Sequence, residues 1–135
     1  KITGLRRAEN QLFHRMLNHP MILNDYRMRE EFFFQTPELE ELYHILKQDG
    51  KIDKVALSVL SQEVQTAYYQ VLEEILPPET RLEEVQDIEE RRNHFLREQD
   101  FRKQSKQIRE SSNHGDVDAA VEALQMLIAQ KRDME

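Results

Sequence analysis

Residues 80–113 hold the longest stretch of this chain that only one kind of backbone can satisfy. Between Leu82 and Gly115 there is no glycine or proline, and the stretch is mostly Glu, Gln, Arg, Lys and Leu, all good helix formers. Pro77-Pro78 ends whatever precedes it, because proline lacks an N–H and restricts the residue before it. Thr80-Arg81-Leu82-Glu83 fits a capping box, with Thr80 accepting from the Glu83 N–H and Glu83 reaching back. The reading is one helix of about thirty residues, roughly 48 Å long at 1.5 Å per residue. A compact chain of this size has a radius of gyration near ~14 Å. The pattern therefore predicts a globular body with a projecting arm.

Ahead of this helix the signals come in quick succession. Leu5, Ala8, Leu12 and Met16 keep helical spacing, widened by Phe13 and Leu17, and Pro20 stops the run after Asn18-His19. Pro20 can itself open a short second helix through Met28. Phe32-Phe33-Phe34 is expected to plug the core between helices. Thr36-Pro37 pairs a cap residue with proline at the first helical position. Leu39, Leu42, Tyr43 and Leu46 follow in register, and Asp49-Gly50 closes that helix. Residues 52–60 read as a short helical link. Ser61 then caps a helix whose expected buried stripe is Val64, Tyr68, Val71, Leu72 and Ile75. The fold class expected is all-α: a helical bundle over 1–78, a connecting helix over 79–112, and the returning arm of a helical hairpin over 113–135. The first half of the connecting helix packs on the bundle through Leu82, Val85, Ile88, Phe95 and Leu96. Its second half forms the first arm of the hairpin.

The long helix changes charge midway. Residues 79–90 carry six acids (Glu79, Glu83, Glu84, Asp87, Glu89, Glu90) and one base, Arg81. Residues 91–109 carry seven bases (Arg91, Arg92, Arg97, Arg102, Lys103, Lys106, Arg109) and two acids, Glu98 and Asp100. Acid first and base last suits the helix dipole, and that alone accounts for the order. The hairpin is unbalanced in apolar content. Past Leu96 the first arm offers only Phe101 and Ile108, on one face. Asn113-His114-Gly115-Asp116 reads as the turn, with Asp116 capping a last helix from Val117 to about Arg132. In that helix Val117, Val121, Leu124 and Ile128 form a stripe for Phe101 and Ile108 to cover. Ala120, Ala123, Met126 and Leu127 form a second face without a partner in the hairpin. Either this surplus folds onto the bundle or it is left for another chain, and the projecting length of the helix favours the second.

Composition excludes more than it assigns. With 39 % hydrophobic and 33 % charged residues and only 3 glycines, the chain suits helices and not a β-sandwich. The absence of cysteine removes disulfides and Cys-ligated zinc, and a reducing, cytoplasmic compartment is expected. No apolar run reaches the ~18 residues of a membrane span. A net charge of −7 opposes bulk nucleic-acid binding, although a local basic face can act against that trend. The chain opens on Lys1, as a piece cut from a longer protein would. His14, His19, His44, His94 and His114 lie in different elements, without metal-site spacing. Gly4, Gly50 and Gly115 are isolated, so no phosphate loop exists, and no serine has the glycine flanks of a nucleophile elbow. Adjacent carboxylates such as Glu40-Glu41 and Glu73-Glu74 read as solvated faces. No catalytic residue, cofactor or metal is expected.

Residues 5–20 (Leu5-Arg6-Arg7-Ala8-Glu9-Asn10-Gln11-Leu12-Phe13-His14-Arg15-Met16-Leu17-Asn18-His19-Pro20) carry a family resemblance. The Ala8-Glu9 pair, the apolar Leu12, Met16 and Leu17, and the Asn18-His19-Pro20 break resemble the opening of the helicase-binding domain at the C-terminus of bacterial primases. Phe34 to Leu46 continues the pattern. The resemblance runs over about residues 5–75 and is one of layout over the hairpin. It implies a non-catalytic domain whose hairpin docks on the N-terminal collar of the hexameric replicative helicase, at the bacterial replication fork, while the bundle is linked to stimulating that helicase. The zinc-binding and catalytic parts of a primase lie upstream of such a domain.

On that reading the helicase-binding residues are Gln125, Met126, Leu127 and Ile128, with Lys131 and Arg132 as polar rim. Other readings stay open. The helicase's own N-terminal domain is similar to this fold. Arg91, Arg102, Lys106 and Arg109 partly line up as a basic face for phosphate contacts, which makes nucleic acid a weak secondary partner at most. A self-associating helical scaffold is the bland alternative.

Overall fold

A computed structural model describes residues 2–75, 82–112 and 117–134. Among these residues there are seven α-helices and no strand, and the fold is all-α. In order they are α1 (Gly4–Asn18), α2 (Pro20–Arg27), α3 (Pro37–Asp49), α4 (Lys54–Ser58), α5 (Gln62–Leu72), α6 (Leu82–Ser112) and α7 (Val117–Met134). The chain divides into two compact units, Lys1–Arg92 and Asn93–Glu135, with α6 contributing to each.

Local chemistry sets the helix ends of the first unit. Thr3, Asp53 and Ser61 cap α1, α4 and α5, each side chain accepting from the N–H three residues on. Pro20 and Pro37 open α2 and α3. Gly50 closes α3 at φ 75°, in the left-handed region that glycine enters without strain, and donates its N–H to the Leu46 carbonyl. The Thr80–Glu83 capping box lies outside the described residues, as does the 113–116 turn.

α1 packs against α2, α3 and α5, and α3 against α5. The core joins Leu12, Phe13 and Met16 of α1 to Leu23 and Tyr26 of α2 and Leu39, Leu42, Tyr43 and Leu46 of α3. Val85 and Ile88 of α6 join it. Three expectations fail at particular residues. Of the phenylalanine triplet, Phe34 is buried, Phe32 partly buried and Phe33 53 % exposed. Leu72 and Ile75 are exposed because α5 ends at Leu72, so Ile75 leaves the helical phase. Leu82 is exposed in the first turn of α6.

The first half of α6 is held by charges as much as by Val85 and Ile88. Arg15 Nε donates to Glu84 at 2.9 Å. The Tyr26 hydroxyl donates to Glu89 at 2.9 Å, and Arg29 pairs with the same carboxylate. Burial first, and then Glu89, push the Tyr26 phenol well above its ordinary pKa. Arg91 donates to Gln11 at 2.9 Å, so it is already engaged with α1. At the end of the unit Arg92 and Glu9 form an ion pair at 2.8 Å, both almost wholly buried.

Arg15 also donates to Nδ1 of His14 at 2.9 Å, which requires the neutral ring. Burial, followed by the Arg15 and His19 charges, holds His14 below the ordinary histidine value. As pH falls through about 6.5 the unfolded chain takes up the proton first, so stability present above that pH is lost below it. All four tyrosines lie in the first unit, so tyrosine fluorescence reports its unfolding. The urea midpoint is expected to fall between about pH 7 and 5.5, and His14→Gln to flatten that fall. An unchanged pH slope in His14→Gln would refute the assignment.

Candidate interaction surface

In the second unit α6 supplies residues 93–112 and α7 supplies Val117–Met134. The Lys131 ammonium lies 5.0 Å from the centre of the Phe101 ring. Further along, Gln104, Gln107 and Ile108 share a groove with Ala123, Met126, Leu127 and Gln130. Late residues of α7 therefore lie beside early residues of this part of α6, and the two run antiparallel. Lys131 and Arg132 occupy the last turn of α7, where positive charge meets the negative end of the helix dipole.

Over residues 123–132, α7 turns a different face to α6 than the Leu124 and Ile128 part of its stripe predicts. Leu127 is 5 % exposed and Ala123 half-buried, whereas Leu124 and Ile128 are 39 % and 45 % exposed. The physical reason lies on α6, which offers only Phe101 and Ile108 as apolar cover between residues 97 and 109. Among the residues whose side chains are described, Leu127 and the small Ala123 are the ones covered, which matches that limited apolar cover, and Leu124 and Ile128 remain outside.

Of the expected docking residues, Gln125 and Arg132 are exposed, Met126 is 67 % exposed and Ile128 nearly half exposed. Leu127 is not available as an anchor, because it fills the α6–α7 seam. Lys131 is exposed but engaged with Phe101, a contact worth about 0.5–1 kcal/mol at a wet site. Leu124, assigned to the covered stripe by its spacing, belongs instead with the exposed set. The groove of about 430 Å³ has an apolar floor of Ile108, Ala123, Met126 and Leu127 and a carboxamide rim of Gln104, Gln107 and Gln130. Arg102, Lys106 and Arg109 of the basic stretch are exposed.

The feature least visible in the sequence belongs to the first unit. Glu9 accepts from the Gln35 and Thr36 amides, both at 2.8 Å, from the Thr36 hydroxyl at 2.7 Å and from Arg92. Thr36 occupies the N-cap position of α3, but its hydroxyl serves Glu9 and makes no cap bond. Arg92 also donates to the Phe33 carbonyl and lies over the Phe32 ring. One buried carboxylate thus joins α1, the loop before α3 and α6. A signal was present: Glu9 falls in the middle of the Leu5, Ala8, Leu12, Phe13, Met16 stripe, where a solvated acid does not belong.

The described residues contain no group of three His, Asp or Glu placed to hold a metal ion, and no helix long and apolar enough to cross a membrane. The described residues define an all-helical chain with exposed apolar side chains at Leu124, Met126 and Ile128 of α7. A curated DNA primase from Lactococcus lactis subsp. lactis (strain IL1403) is 24 % identical over 139 aligned residues, covering 99 % of this chain and 22 % of that protein. The chain is thus primase-related and spans about a fifth of the length of the primase it matches. No protein-family model and no solved structure matches it.

Proposed function

We propose that the chain is a non-catalytic interaction domain of a bacterial primase. It docks through α6 and α7 on the N-terminal domains of the hexameric replicative helicase and modulates it during primer synthesis, in the cytoplasm at the replication fork. The observation that carries this reading is the exposure of Leu124, Met126 and Ile128 within five residues of α7, flanked by exposed Gln125 and Arg132. Large apolar side chains ringed by polar ones are the usual make-up of a docking surface, with a few anchors supplying most of the affinity. The likeness to DNA primase along the whole chain supports the class of parent protein. The resemblance of about residues 5–75 to the helicase-binding domain supports the partner.

The test is co-sedimentation of the chain with the replicative helicase of the same organism. Met126→Ala combined with Ile128→Ser should weaken binding at least about tenfold, as loss of two anchors would. Far-UV circular dichroism checks that the variant stays helical. A helical double variant that binds as the parent does, or an intact chain that stays separate from the helicase at micromolar concentration, would overturn the proposal.

A further inference from the structure

A second concave surface, wholly within the first unit, plays no part in that reading. Pro37, Glu40, Glu41, His44 and Ile45 of α3 line it, facing Phe34, Gln35 and Leu60. It is a shallow, open groove of about 770 Å³. Phe34, Pro37, Ile45 and Leu60 give it an apolar floor. Its only formal charges are the two carboxylates, with no lysine or arginine among the described residues that line it.

Glu40 sets the chemistry. Its Oε1 is buried and has no hydrogen-bond partner. Burial pushes its carboxyl above the ordinary range, against the pull of the Phe34 amide and Lys47. Lys47 cannot fully answer it, since its ammonium lies 4.8 Å from the centre of the Tyr43 ring. An acceptor left unmade in a buried place costs about 1–3 kcal/mol, and more if charged. An atom so buried is not itself within reach from outside; the half-buried Glu40 and the exposed Glu41 beside it are what an incoming donor meets.

We propose that this groove receives a basic segment of a partner protein, with an arginine or lysine reaching the Glu40–Glu41 carboxylates and the adjoining apolar side chain lying on Ile45 and Leu60. Charge complementarity selects this occupant. An acidic segment would meet two carboxylates and no lysine or arginine, and a purely apolar one would cover the exposed Glu41 carboxylate without a counter-charge. Arginine fits best, because its planar fork can meet carboxylate oxygens in pairs.

The test uses the full chain labelled with 15N and two probes, acetyl-Leu-Arg-Leu-Arg-Leu-amide and its glutamate counterpart acetyl-Leu-Glu-Leu-Glu-Leu-amide. The arginine peptide alone should give saturable shifts of the Gln35, His44 and Ile45 amides. Glu40→Gln with Glu41→Gln should weaken it at least about tenfold, and raised salt should weaken it further. Both substitutions keep the side-chain shape, and neither residue belongs to the hydrophobic core. Equal shifts with the glutamate peptide, unchanged affinity in the double variant, or no saturable shift by about 5 mM would overturn the proposal. So would groove shifts on dilution of the protein alone, which would assign the groove to a second copy of this chain.

Discussion

Glu9→Ala is expected to destabilise the first unit by about 3–5 kcal/mol, the range for removing one member of a buried ion pair. The substitution does more than delete a contact. Arg92 stays buried without its counter-charge, and the Gln35 and Thr36 amides and the Thr36 hydroxyl lose their acceptor together. Against a typical total of about 5–15 kcal/mol this is a large fraction. Urea unfolding followed by tyrosine fluorescence measures it in the right unit. Glu9→Leu with Arg92→Leu should recover part of the loss, since an apolar pair of similar volume often replaces a buried ion pair at little cost. Recovery stays partial because the two amides remain unpaired. A loss below about 1 kcal/mol in Glu9→Ala would mean that water reaches the site and the pair is not buried in solution.

The second large effect separates two neighbours. Phe34→Ala is expected to cost about 3–5 kcal/mol, as deletion of a fully buried aromatic ring does. Phe34 is 2 % exposed, and its ring meets Phe13, Phe32 and Tyr43 edge-on at 5.7, 5.2 and 5.2 Å between centroids. Edge-to-face pairs of this kind add to the area buried. Phe33→Ala should stay within about 0.5 kcal/mol, because the side chain faces outward and alanine keeps the carbonyl that accepts from Arg92. Equal losses from the two substitutions would show that the triplet is packed differently. The aromatic cluster and the Glu9 network fix the same loop, from Phe32 to Thr36. Energetic coupling between the two sites is therefore expected in a double-mutant cycle.

These two sites have consequences for the proposed groove as well. Phe34 and Gln35 form one wall of it, and the Glu9 carboxylate holds the Gln35 amide. Loosening that loop by Glu9→Ala should weaken the arginine peptide even though Glu9 does not line the groove. The proposed docking through α7 would use residues of the other unit, so the two binding measurements report on different residues.

The sequence by itself determined where the helices are and much of what the first core contains. Pro20, Thr36-Pro37, Asp49-Gly50 and Ser61 act on backbone within three or four residues, and a 3.6-residue period marks Leu12, Met16, Leu39, Leu42 and Leu46 as inward. Tertiary structure alone decided the rest. Glu9 and Arg92 stand 83 positions apart and pair only once α6 lies against α1, so neither residue carries a local mark of its partner. The faces of α7 divide in the same way. The sequence supplies two apolar stripes, and the structure seals the one with Leu127 while leaving Leu124 and Ile128 outside. Helix formation follows from hydrogen bonds and rotamer preferences close along the chain, whereas the choice of a buried face follows from the shape and apolar content of whatever lies opposite.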